Sequence, residues 1–253
     1  MNSTWFRRFT TVVGGGPRLV CFPHAGGSAT AYKELTQALP PHFDVLCVQY
    51  PGRQDRFREE PFTSMAALVE AVAEELARDI AVPGGRPYAL FGHSMGSLVA
   101  FETARVLARR QLPGPQRLFL SGRGGPETDS APYHLYDDDD VLADVRRLGG
   151  TEQGMLDDPD ILELVMPALR GDYSALGTYS WSGGAPLDVP VTALTGDSDP
   201  MMTVGDAHTW EPYTTGEFAV KVFSGGHFYL FDHLDGVAAA VTEGMLLTEG
   251  AAS

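Results

Sequence analysis

The chain has 253 residues, 43% of them hydrophobic, and carries 18 Lys plus Arg against 33 Asp plus Glu, a formal charge of −15. That size and apolar content can build one large core and argue against disorder, while the negative charge disfavours nucleic acid phosphates and anionic lipid as partners. No run is apolar enough for a bilayer span, and the stretch after Arg7 and Arg8 breaks at Gly14, too early for an export signal, so a cytoplasmic, non-membrane protein is expected.

Along the chain, "RLVCFPHAGG", "FDVLCVQYPG", "YALFGHS" and "RLFLSGRGG" each set a short apolar run before a Gly-rich or Pro-rich turn, as buried parallel strands do. Cys21 and Cys47 fall inside two of these runs and read as buried thiols, not as a disulfide or a metal site. A helix is predicted from Ser64 to Ile80, with Met65, Leu68, Val69, Val72, Leu76 and Ile80 on one face. A second is predicted from Met95 to Arg110, ending in basic residues that suit a helix C-terminus.

After Gly125 the alternation stops. Residues from about 130 to 184 offer helical pieces, "VLADVRRL" and "ILELVMPALRGDYSAL", the second interrupted by Pro167. The acidic run Asp137 to Asp140 reads as a cap or flank of a helix in solvent. Strand-like runs return in "VPVTALTGDSDP" and "FAVKVFSGGHF", and a last helix runs from about Leu234 to Leu247. The pattern predicts the α/β class: one domain over 1–253, a mostly parallel, doubly wound sheet carrying a helical lid insertion at about 130–184.

Ser94 lies between Gly92 and Gly96 in "FGHSMG", at the end of a strand and the start of a helix, which is the context that a Gly-x-Ser-x-Gly nucleophile turn requires. Side chains at 92 and 96 would collide with the neighbouring strand and helix, and the turn leaves the hydroxyl exposed near the helix's positive end. The Met95 N–H is then placed to stabilise an oxyanion. A serine nucleophile needs a histidine base and an orienting carboxylate, expected in the order Ser, acid, His on late strand ends. Asp199, ending "LTGDSD", and His227, following "VFSGG", fit that order; Asp197 competes for the acid role, with turn capping as its other reading. A second oxyanion donor should come from "PHAGGSA", where Ala25 or Gly26 offers a backbone N–H, Ala25 being preferred. His24 and His93 lie beside the site and read as structural, and His42, His134, His208 and His233 have no constellation around them.

Together "CFPHAGGSA", "QYPGRQDR", "FGHSMG", "LGGT", "LRGDYSALGTYSW", "TGDSDP" and "FSGGHFYL" resemble the external, type II thioesterases of polyketide and nonribosomal peptide assembly lines, over nearly the whole chain. The resemblance implies an α/β-hydrolase fold with a helical lid. It also implies hydrolysis of acyl groups from the phosphopantetheine thiol of acyl or peptidyl carrier proteins, clearing mis-primed or stalled units. Carried over by motif, Ser94, Asp199 and His227 are the triad. No cofactor is expected beyond the phosphopantetheine that the substrate carries, and the carrier protein is the expected partner of a free-standing monomer.

Plausible apolar lining for an acyl pocket is "LVMPAL", "YSALGTYSW" and Phe228, against an alternative of ordinary lid-to-core packing. An acidic carrier facing a chain of charge −15 would need a local basic patch; Arg53, Arg56, Arg58 and Arg123 are candidates, with internal pairing as the alternative. A Ser triad by itself also admits an esterase or acyl-CoA thioesterase acting on free small molecules, and the fold alone a non-catalytic scaffold. The sequence lacks a dinucleotide loop at a strand-helix junction, a Gly-Lys-Ser/Thr phosphate loop and a His-Glu-x-x-His zinc helix.

Overall fold

The computed structural model describes residues 4–80, 86–128, 133–149 and 156–251. Seven strands form one sheet in the order β1-β3-β2-β4-β5-β6-β7, with β1 (Phe6–Arg7), β2 (Arg18–Phe22), β3 (Asp44–Val48), β4 (Tyr88–His93), β5 (Arg117–Ser121), β6 (Val191–Gly196) and β7 (Phe218–Phe223). All neighbours pair in parallel except β1, which runs antiparallel to β3 with Phe6 opposite Val48. β1, only two residues long, carries no periodicity a sequence could reveal.

Alternation along the strands feeds two cores, one on each face of the sheet. Val20, Phe22, Leu46, Val48 and Leu90 point to the face covered by α2 (Met65–Ile80) and α3 (Met95–Arg109). Leu19, Cys21, Val45, Cys47, Ala89 and Phe91 point to the other, covered by α1 (Lys33–Ala38) and the C-terminal helix α6 (Leu234–Ala251). Cys21 and Cys47 are both buried and stand opposite each other in the β2/β3 register. No described helix is long and apolar enough to cross a membrane.

Between β5 and β6 lie α4 (Asp138–Leu148) and α5 (Pro159–Gly177). Asp137 caps α4: its carboxylate accepts from the Asp140 N–H at 3.0 Å, and Asp140 accepts from the Asp137 N–H at 3.2 Å. Pro167 does not interrupt α5, contrary to the sequence expectation. Its missing donor is tolerated because Met166, Ala168 and Leu169 on either side are buried against the body, so tertiary packing overrides the local cost. Part of the insertion, residues 130–132 and 150–155 with "LGGT" from its third residue on, falls outside the described residues.

The chain winds from β2 to one side through β3 and returns past β2 to β4, so the carboxyl ends of β2 and β4 flank the crevice where open α/β sheets bind ligands. The turns after β2, β4, β6 and β7 carry Ala25, Ser94, Asp199 and His227.

Candidate active site

The turn after β4 is set by its own close packing and by the ends of the adjacent strands β2 and β5. Ser94 has φ 55° and ψ −121°, a left-handed conformation that non-glycine residues rarely hold, and it sits at the N-terminus of α3 without capping it. Close packing fixes this turn: a Cβ on Gly92 would lie 2.1 Å from the Gly96 carbonyl oxygen, and one on Gly96 would lie 2.0 Å from that of Phe22 in β2. The Ser94 N–H donates to the Ser121 carbonyl at 2.8 Å, tying the turn to β5. Met95 is the first residue of α3, so its N–H has no intrahelical acceptor and faces the crevice end of the helix.

Asp199 and His227 meet across the ends of β6 and β7. His227 Nδ1 donates to Asp199 Oδ2 at 2.8 Å, and both side chains are fully buried. The other carboxylate oxygen accepts from the Met201 N–H at 2.8 Å, which fixes the carboxylate plane. Because a carboxylate only accepts, this bond puts the ring proton on Nδ1 and leaves Nε2 with its lone pair. Nε2 is buried with no hydrogen-bond partner among the described residues, and His227 and Ser94 line the same cavity. Asp197, the competing acid, is exposed and accepts from the Gly225 N–H at 3.0 Å and the Ser198 hydroxyl at 2.9 Å, so it ties the β6 and β7 turns together away from the imidazole. The Gly225 N–H and the Ser198 hydroxyl hold its carboxyl below the usual range.

Two further imidazoles pack beside His227. The His93 ring lies 4.9 Å from it and bonds Ser121 Oγ at 2.9 Å through Nδ1, and that hydroxyl meets Tyr229 OH at 2.7 Å. His24 stacks edge-on to Phe228 at 4.8 Å. Burial lowers both, His24 to about 3 and His93 well below its ordinary value, so both stay neutral near pH 7.

The turn after β2 separates its two candidate donors. The Gly26 N–H donates to Asp172 Oδ2 at 2.7 Å, and the Gly27 N–H to the His24 carbonyl at 2.9 Å. Ala25 N–H has no partner among the described residues.

Two cavities meet at Ser94. One, of about 130 Å³, lies under α4 and α5 and is walled by Val145, Val165, Leu169, Tyr173, Leu176 and Phe228. The other is an open groove of about 460 Å³ along Gly122 to Gly124, Thr128, Tyr136, Arg147, Met201 and Asp206. Of the apolar lining expected from sequence, Val165, Leu169, Tyr173, Leu176 and Phe228 line the first cavity. Leu164 instead points to solvent, and Trp181 packs between Phe101, Tyr213 and the Arg105 guanidinium, remote from the cavity wall. The basic patch is corrected more sharply. Arg53 is buried on Asp172, and Arg56 is buried between Glu59 and the Trp5 ring, so neither can meet a partner; Arg123 is buried in the wall of both cavities. Arg58 alone of the four is exposed.

Sequence reading missed Asp172. The signal was present, because Leu162, Val165, Leu169 and Leu176 form the apolar stripe of α5, and a carboxylate at 172 interrupts it.

A thioesterase domain model matches residues 17–243. The chain is 43% identical to the probable cadicidin biosynthesis thioesterase of Streptomyces griseus over 95% of its own length and 66% of that protein's. It is equally 43% identical to thioesterase PikA5 of Streptomyces venezuelae, over 99% of its length and 88% of that protein's. The solved type II thioesterase BorB of the borrelidin biosynthetic cluster superposes with a TM-score of 0.84 at 39% identity, covering 96% of this chain and 98% of BorB. The mostly parallel sheet with flanking helices is therefore the α/β-hydrolase fold, and the chain belongs to the thioesterase family of hydrolases, in its type II group.

Proposed function

We propose that Ser94, His227 and Asp199 form a nucleophile, base and orienting acid that hydrolyse acyl groups from the phosphopantetheine thiol of acyl or peptidyl carrier proteins in a polyketide or nonribosomal peptide assembly line. The observation that carries the reading is the buried Asp199–His227 pair, 2.8 Å across, whose unpartnered Nε2 shares a cavity with a serine at φ 55°. His227 Nε2 takes the Ser94 proton as Oγ attacks the thioester carbonyl, and Asp199 stabilises the imidazolium. The tetrahedral oxyanion lies between the Met95 and Ala25 N–H groups. Collapse expels the pantetheine thiolate, which takes the proton from His227. Water, deprotonated by the same nitrogen, then releases the acid and restores Ser94.

In this reading the helical insertion at about 130–184 is a lid on a single α/β-hydrolase domain. The acyl group occupies the cavity beneath it and the pantetheine arm the open groove. A cavity of roughly 150 Å³ holds benzene, so the 130 Å³ chamber suits short acyl groups in the lidded state. The relatives named for cadicidin and borrelidin biosynthesis support an editing role on such units, and no resident cofactor is needed because the substrate brings its own pantetheine.

The test compares hydrolysis of one butyryl group presented on a carrier protein, on coenzyme A and as an oxygen ester, with Ser94→Ala as control. Strong preference for the carrier is expected. Equal rates on all three, lost in the control, would instead mean a general esterase or acyl-CoA thioesterase, and activity surviving in Ser94→Ala would overturn the triad.

A further inference from the structure

Arg53 and Asp172 form a buried ion pair. The two side chains are 6% and 3% exposed, and the contact is bidentate: one guanidinium nitrogen lies 2.6 Å from Oδ2 and the other 2.8 Å from Oδ1. A buried ion pair recovers little more than its own desolvation, so stability alone is a weak reason for one to be built here. What distinguishes this pair is its other ligands. Asp172 Oδ2 also accepts the Gly26 N–H at 2.7 Å, and the Arg53 guanidinium donates to the Gly27 carbonyl at 3.0 Å and the Pro51 carbonyl at 3.2 Å. Gln49 continues the mesh, donating to the Arg53 carbonyl at 3.2 Å and accepting the Ala29 N–H at 3.1 Å. The turn after β2 is thus gripped at residues 26, 27 and 29 by side chains from α5 and from the segment after β3.

Gly26 also needs its lack of a side chain here. Its φ is +73°, and a Cβ would lie 2.5 Å from Leu169 Cδ2, one helical turn before Asp172 in α5. The loop backbone therefore seats directly against the helix that roofs the acyl cavity.

We propose that Asp172, held by Arg53, is a positioning residue that sets the oxyanion hole: by engaging the Gly26 N–H it orients the neighbouring peptide so that the Ala25 N–H is the donor facing Ser94. This rests on the reading of Ser94 as nucleophile. The consequence is that the hole and the roof are assembled together. Val165, Leu169, Tyr173 and Leu176 of α5 wall the cavity, while Asp172 on the same helix holds the loop. Lifting α5 to admit a substrate breaks the Gly26 bond, so the hole is complete only when the helix is seated again over the acyl group.

Two experiments decide this. In the wild-type enzyme labelled with 15N, butylboronic acid added to Ser94 should shift the Ala25 and Met95 amide resonances downfield and leave Gly26 in place. A Gly26 shift equal to that of Ala25 would overturn the assignment, and no adduct at Ser94 in an enzyme that hydrolyses butyryl thioester would overturn the nucleophile reading beneath it. The second compares two charge-free doubles. Arg53→Gln/Asp172→Asn keeps an amide oxygen that can accept the Gly26 N–H, whereas Arg53→Met/Asp172→Leu fills the space without an acceptor. The first should keep kcat within about fivefold, and the second should lose about 100-fold in kcat, with KM within about threefold and boronate affinity falling in step with kcat. Equal kcat in the two doubles, or a loss confined to KM with boronate affinity unchanged, would overturn the positioning role. If either double fails to fold, the amide shifts in the wild-type enzyme decide alone.

Discussion

Two turns, one after β4 and one after β2, end adjacent strands and face each other across the crevice, yet they are held in different ways. The Ser94 turn is fixed by its own neighbourhood: Gly92 and Gly96 permit the close approach, and Ser97 Oγ closes it by donating to the Gly92 carbonyl at 2.9 Å. The Ala25 turn is fixed by a carboxylate 146 residues later in the chain. A nucleophile must be aimed before any substrate arrives, and a local turn does that at all times. A donor that needs to be right only once the acyl group is covered can depend on the helix that covers it.

Neither turn works without the base, so the largest effect is expected at the acid that orients it. Asp199→Asn should lower kcat about 10,000-fold by letting the imidazole adopt the wrong tautomer. Asp197→Asn should change kcat less than about threefold and lower stability only slightly, because it loses only exposed turn contacts. Steady-state hydrolysis of a butyryl thioester and urea unfolding check both, and a larger kcat loss at Asp197 would reverse the assignment.

Breaking the local turn comes next. Gly96→Ala puts a methyl group into the Phe22 and Pro23 carbonyls, which are backbone of the adjacent strand end and cannot swing aside. A loss of about 3 kcal/mol is expected by urea unfolding. Because Phe22 and Pro23 lead into the Ala25 turn, kcat should fall with it, and a variant of wild-type stability would show that the two strand ends are looser than their packing implies.

That contrast also explains what the sequence disclosed. The Ser94 turn was legible because its glycine spacing lies between residues 92 and 96, although Phe22 and Ser121 from the adjacent strands also hold it, and the proposed acid and base were read from chain order. The engagement of the Gly26 N–H, which leaves Ala25 as the proposed donor, was not, since Asp172 comes beside Gly26 only after α5 has folded back over β2. Arg53 was ambiguous for the same reason, whereas the partner of Arg56, Glu59, lies only three residues on. A cation following a strand end reads as surface until its buried partner is known, and Asp172 lies 119 residues away. Pro167 predicted a break that burial of its neighbours removes.

Leu169 sharpens the comparison from the roof side, because it both touches Gly26 and walls the cavity. Leu169→Ala should cost about 3 kcal/mol, the usual range for a buried leucine. The enlarged chamber should move preference from butyryl toward hexanoyl thioester by about tenfold. A competition assay with both thioesters reads the shift. Unchanged preference would place the acyl group elsewhere, in the open groove.

The smallest effect separates the turns by their histidines, His24 after β2 and His93 in β4. The folded value for His24 is about 3, below the 6.5 of an exposed imidazole, because burial above all, with His227 and Arg53 nearby, disfavours its cation. The unfolded chain therefore takes up the proton first as pH falls. The stability concerned is fully present above about pH 6.5 and is lost progressively toward pH 3, amounting to about 2 kcal/mol at pH 5. His24→Gln should remove that part of the acid slope at little cost at pH 7.5. His93 is also depressed, so His93→Gln should flatten the slope in the same direction. It should in addition cost about 1 kcal/mol at pH 7.5, because Ser121 Oγ loses the imidazole it meets at 2.9 Å. Urea midpoints at pH 7.5 and 5.0 measure both. An acid slope unchanged in His24→Gln would mean that this ring charges normally in the folded protein, and hence that the Ala25 turn is wetter than the Ser94 turn beside it.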